Sequence, residues 1–180
     1  MGSPRIVDRL VALGGGVENL RGILDADMRA FDKAWDQDAD LIGRILRAHL
    51  AVEHFMTDCI VGTNPHLGSL DAARLSFAQK VELLDGNDAI VVAIRPGLRK
   101  LNEVRNRLAH RLNHPLNRID VEPMLDIGQF RAVREAVYGP PAPSDPPIVI
   151  LEGFARFAAG ILQSQVSQWG KLLREAATSA

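Results

Sequence analysis

The chain has 180 residues, 24% of them charged and 47% apolar, a composition that folds rather than staying disordered and that fits one domain, with room for a tail. Its 21 Lys and Arg against 22 Asp and Glu leave a net charge of −1, so a surface that coats nucleic acid or membrane throughout is excluded and any polyanion site must be local. The single cysteine, Cys59, excludes an intramolecular disulfide and a multi-Cys zinc centre. The longest aliphatic run, 89–94, is far short of the roughly 18 residues of a membrane span, and the opening MGSPRIVDRL lacks the apolar core of a signal peptide. The expectation is a soluble cytoplasmic protein with no membrane partner.

Apolar residues recur at helical spacing along most of the chain, and no alternating run bounded by hairpin turns interrupts them. The expected fold class is all-α. A short helix over 5–13 should stop at Gly14, Gly15 and Gly16, and a second should run over 17–34 with Leu20, Ile23, Leu24, Met28 and Phe31 on one stripe. From Val17 to Asp40, seven acidic residues face three basic ones, a local balance of −4. A third helix over 39–61 is the best central candidate and ends at Gly62, Asn64 and Pro65. Ser69 is a candidate N-cap for a helix through Phe77, Val81 and Leu84 that closes at Gly86.

Proline lacks a backbone N–H and disfavours helix at the residue before it, which starts the next helix at Pro96 and carries it to 113. A helix over 122–137 then meets GPPAPSDPP, residues 139–147, which reads as an extended linker. The last amphipathic helix is expected over 151–176. This divides the chain into a helical domain over 1–138, the linker, and a C-terminal helix over 148–180 that packs on the bundle or on a partner. The wide apolar face of that helix, with Phe154, Phe157, Ile161, Leu162 and Trp169, argues for a homodimer.

The chemistry concentrates in residues 89–117. Arg95, Arg99, Lys100, Arg105, Arg107 and Arg111 face only Glu103, a local +5, and His110 and His114 accompany them. A concentrated basic surface suits a phosphate-bearing ligand. At roughly 100° per residue, Leu98, Leu101, Val104, Leu108 and Leu112 form an apolar arc that contains Arg105, while Asn102, Asn106 and His110 border it. A guanidinium there needs a partner, and the third helix offers His49 and Glu53 in its own apolar sector. Glu53 is therefore the expected counter-charge for Arg105, unless the arginine runs its stem outward to solvent.

The segment LNEVRNRLAH, 101–110, resembles the motif of the HEPN family, an Arg followed after four to six residues by a His, with a polar residue directly after the Arg. Arg105, Asn106 and His110 fill these places. Three other Arg–His pairs have suitable spacing, Arg44 with His49, Arg47 with His54 and Arg107 with His114, but none has the amide after the arginine. FAQKVELL (77–84) and HLAVEHF (49–55) are similar to the family's preceding helices, so the likeness covers about 39–117. The resemblance implies an antiparallel helical bundle that dimerises. It also implies either a metal-independent endoribonuclease of toxin or phage-defence type, with an antitoxin as possible partner, or an inert regulatory module.

On the catalytic reading Arg105, Asn106 and His110 carry the reaction, Glu53, His49 and Asn102 support them, and Arg99, Lys100, Arg107 and Arg111 hold RNA. No cofactor and no metal are expected. His110 and His114 have a metal-compatible spacing, but the arginines around them oppose a dication. Gly14 to Gly16 lack the Lys-Ser/Thr of a phosphate loop, and Trp35 and Trp169 are better explained by packing than by base stacking.

Overall fold

The computed structural model describes residues 6–67, 70, 73–110 and 115–178, and every regular element among them is helical. The chain forms two compact units, 1–38 and 39–180.

In the first unit, α1 (Ile6–Leu13) and α2 (Val17–Trp35) are joined by a glycine turn. Gly15 and Gly16 take φ of +75° and +110°, where a side chain would be strained, and Asn19 Nδ2 donates to Gly14 O at 2.7 Å. Neither helix buries a residue.

The second unit is built on α3 (Ala39–Thr63). Ile45, Ala48, His49, Val52, Met56, Cys59 and Ile60 are buried at three- and four-residue spacing, which marks one face of a helix wrapped into a core. Against it lies α8 (Pro147–Val166), which buries Ile150, Leu151, Phe154, Ala155, Ala158, Ala159 and Leu162. Small residues bring the two helices close: a Cβ on Gly62 would sit 2.4 Å from Val166 Cγ1. The same economy operates under α5 (Ala89–His110), where a Cβ on Gly97 would meet Phe154 Cζ at 2.3 Å.

Two starts differ from expectation. α4 (Phe77–Leu83) is capped by Ser76, whose backbone N–H donates to Gln79 Oε1 at 2.8 Å while its hydroxyl accepts from Gln79 N at 3.3 Å. Ser69, the expected cap, lies outside the described residues. α5 begins at Ala89, a full two turns before Pro96. Asp88 Oδ1 accepts from the amides of Ile90 and Val91, and the burial of Val91, Ile94, Leu98, Leu101 and Val104 on one face outweighs the interior proline.

Two expected helices are each divided. α6 (Glu122–Leu125) breaks at Asp126–Ile127 before α7 (Gly128–Tyr138), and the last helix breaks at Ser167, giving α8 and α9 (Gln168–Thr178). The proline tract is tied down: Arg134 Nη2 donates to Pro143 O at 2.7 Å and to Asp145 Oδ2 at 2.8 Å. Pro147 occupies the first turn of α8, where its missing N–H costs no helical bond. Of the apolar face that suggested dimerisation, Phe154 and Leu162 are buried inside the bundle, Phe154 also in edge contact with Phe130 of α7 at 5.7 Å, while Trp169 on α9 is exposed. α8 has the length and composition of a membrane span, and its buried stripe is that of a core helix.

Candidate functional site

The polar edge of α5 meets α3 at His49. This imidazole is 5% exposed, stacks on Phe77 of α4 with centroids 4.3 Å apart, and places Nε2 3.3 Å from Asn102 Oδ1. A carbonyl oxygen accepts, so Nε2 carries the proton, and Nδ1 faces Glu53 Oε2 at 3.8 Å, too far for a hydrogen bond. Burial pushes the His49 pKa below 6.5. The Asn102 bond and the Glu53 charge oppose that shift, and the charges of Arg105 and Lys80 add to it. His49 is thus a neutral group that ties α5 to α3.

Glu53 does not pair with Arg105. Its Oε1 accepts from Lys80 Nζ at 2.8 Å, and no ion pair joins it to Arg105 among the described residues. The cause is helix direction. α3 and α5 run antiparallel: His49 stands against Asn102, while Ile45, one turn earlier, shares a small void with Val104 and Leu108. Moving from His49 to Glu53 therefore moves back along α5, away from Arg105. Lys80 was missed by sequence reasoning although it lies in the FAQKVELL segment. Its signal was a cation three residues after Phe77, on the same face of the helix, where Phe77 is buried.

Arg105 is half-buried, and its Nη1 donates to Asn106 Oδ1 at 3.2 Å. His110 ends α5 one turn beyond Asn106; its side chain lies outside the described residues, as do Arg111 and His114. Helix geometry puts Asn102, Asn106 and His110 on one edge, with Arg95 and Arg99 behind them.

The expected phosphate-binding cations divide between two edges, and each described one is engaged. Arg99 Nη2 donates to Glu82 Oε1 at 2.8 Å, and this bond with the Arg99 charge lowers the Glu82 pKa. Lys100 Nζ lies 3.0 Å from Glu103 Oε2. Arg107, on the opposite edge from Asn106, donates to Asp120, which is 1% exposed. Burial raises the Asp120 pKa, but the Asn117 amide at 3.0 Å and the Arg107 guanidinium outweigh it and hold the carboxyl below 3.8. Arg107 anchors the end of α5 to the 3-10 turn Arg118–Asp120.

A cleft of about 470 Å³ opens between α3 and α4, lined by Leu50, Glu53, His54, Thr57, Arg74 and Lys80 among others. Cys59 is buried, and that burial, with the charges of Asp88 and Asp85, pushes its thiol up to about 11. Among the described residues no group of three His, Cys, Asp or Glu side chains converges as a metal site would. The arrangement is thus an Arg–amide pair at the rim of the core, one turn ahead of an imidazole-bearing residue, on a helix fixed by His49 and by Asp120. Comparison with family models, with curated proteins and with solved structures finds no match to this chain.

Proposed function

We propose that the chain is a HEPN-type, metal-independent endoribonuclease acting as a toxin or phage-defence effector, with Arg105, Asn106 and His110 at its reactive centre. The observation that carries this reading is the pairing of a half-buried Arg105 with Asn106 at 3.2 Å, one helical turn before His110. Cleavage begins when a ribose 2′-hydroxyl attacks the adjacent phosphorus. A base must take the hydroxyl proton, an acid must protonate the departing 5′-oxygen, and a cation must face the charge that builds on the phosphoryl oxygens.

Arg105 supplies the cation, and its forked donors match two phosphate oxygens. His110 supplies a proton acceptor whose ordinary pKa lies near neutrality. Asn106 holds the guanidinium and is placed to orient the imidazole or the substrate. One imidazole serves one proton transfer at a time, so the reading pairs two copies of His110 across a homodimer. The products are a 2′,3′-cyclic phosphate and a 5′-hydroxyl end.

The test is cleavage of structured and unstructured RNA in excess chelator, comparing wild type with His110→Ala. Loss of activity in a folded variant supports the reading, whereas equal activity assigns the cleavage to a contaminant. One observation favours a second reading, a non-catalytic helical module: Arg99, Lys100 and Arg107 are each neutralised by an acid of the same chain. A folded wild type that cleaves no RNA selects that module.

A further inference from the structure

A second cavity, of about 460 Å³, is a groove between α3 and α8. The two helices run parallel, since Arg44 meets Glu152 near their starts and Gly62 meets Val166 near their ends. The lining is therefore ordered along the groove. Arg47, Glu152 and Arg156 stand toward the helix starts, and Phe55 and Gln163 stand at the far end. Between them the floor is made of Ala48, Ala51, Ala155 and Ala159, whose single methyl groups leave a trough that longer side chains would fill. From Arg47 to Phe55 the trough follows α3 for about 12 Å. It is charged at one end and apolar along its length.

The charged end holds more cation than its acids need. Arg44 alone satisfies both oxygens of Glu152: its Nε donates to Oε1 at 3.1 Å and its Nη2 to Oε2 at 2.6 Å. Arg47 Nη2 adds a further bond to Oε1 at 2.7 Å, from a side chain that is 70% exposed. Turning Arg47 toward a ligand therefore leaves Glu152 paired. Arg156 follows Glu152 by four residues, a spacing that favours an ion pair on a helix. With the carboxylate already taken, Arg156 is exposed and has no acid partner among the described residues. The other acid beside this cluster, Asp40, lies 3.8 Å from Arg44.

We infer that the α3–α8 groove binds a single-chain anionic amphiphile of the fatty-carboxylate class, its head between Arg47 and Arg156 and its tail along the alanine floor toward Phe55. The forked donors of the two guanidiniums match a carboxylate, and a neutral or cationic head would leave them without a counter-charge. The volume lies within the roughly 300–1,000 Å³ of small-ligand clefts, whereas a helix about 10–12 Å across would stand largely outside it. The groove shares no residue with the proposed RNA centre on α5, so neither reading depends on the other.

Calorimetric titration of the full-length chain with sodium laurate, kept below the concentration at which it forms micelles, tests the inference. Wild type should show one saturable site per chain, and dodecyltrimethylammonium, the same tail on a cationic head, should not displace laurate from it. Arg47→Gln/Arg156→Gln should weaken laurate by about tenfold or more. Arg29→Gln/Arg131→Gln, which removes the same charge from exposed positions elsewhere, should bind as wild type does. Ala51→Trp, at an exposed position on the floor, should abolish binding by filling the trough, and circular dichroism checks that each variant is folded. The inference is overturned by a wild type that laurate does not saturate, by equal losses in the two arginine pairs, or by a folded Ala51→Trp that binds laurate unchanged. Binding to phosphatidylglycerol vesicles without binding to free laurate would assign the arginines to a membrane surface and overturn it as well.

Discussion

Arg107 and Asp120 show how a residue read from its neighbours in sequence gains a partner from its neighbours in space. A basic run suggested a phosphate contact, and a carboxylate 1% exposed gives Arg107 a counter-ion within the chain. Removing one member of such a pair strands the other, so Asp120→Ala should cost about 3 kcal/mol in urea unfolding. Because its folded pKa is lowered, the contribution of Asp120 is present above the unfolded value of 3.8 and is lost as the pH falls through the folded one. His49 works in a different window. Its folded pKa is below 6.5, so the unfolded chain takes up the proton first, and stability is full above that value and declines as the pH falls below it. His49→Gln, which keeps a donor for Asn102, should flatten the loss of stability between about pH 7.5 and 5. The cluster of His49, Asn102 and Glu53 was legible because periodicity assigns faces. The partner of Glu53 was not, because a helical wheel carries no information on whether two helices run parallel or antiparallel.

At the level of elements, the long apolar stripes were the readable part. α1, α2 and α3 begin and end within a residue or two of their expected bounds, since glycine turns and strong periodicity mark them. α5 was misread at its start because Pro96 is a local signal, worth about 3 kcal/mol, while the burial of five residues on one face is a tertiary one of larger size. Ser76 was legible in principle, since Ser76 and Gln79 have the spacing of a capping box. Ser76→Ala should destabilise the fold by about 1 kcal/mol, as differential calorimetry can resolve. The breaks at Asp126–Ile127 and Ser167 have no such mark: no proline lies at either point, and the glycines at 128 and 170 already belong to the following helices.

Across the whole molecule, the apolar surface is unevenly spent. Residues 39–180 hold the core, and α1 and α2 bury nothing. Amide exchange should follow this division, with α2 exchanging through local openings while α3 and α8 exchange only through global unfolding; equal protection in the three helices would refute it. The glycines of α3 extend the same contrast to protein engineering. Gly62 stands where a methyl group would collide with Val166, and Gly43, on the same helix, has no atom within 4 Å of that position. Backbone entropy is paid at both, but only Gly62 returns it as packing. Alanine at Gly43 should therefore raise the melting temperature, by the equivalent of about 1 kcal/mol, and alanine at Gly62 should lower it. In a library of variants, tolerance at glycine would then trace the solvent boundary of the bundle as a scan of its leucines traces the core.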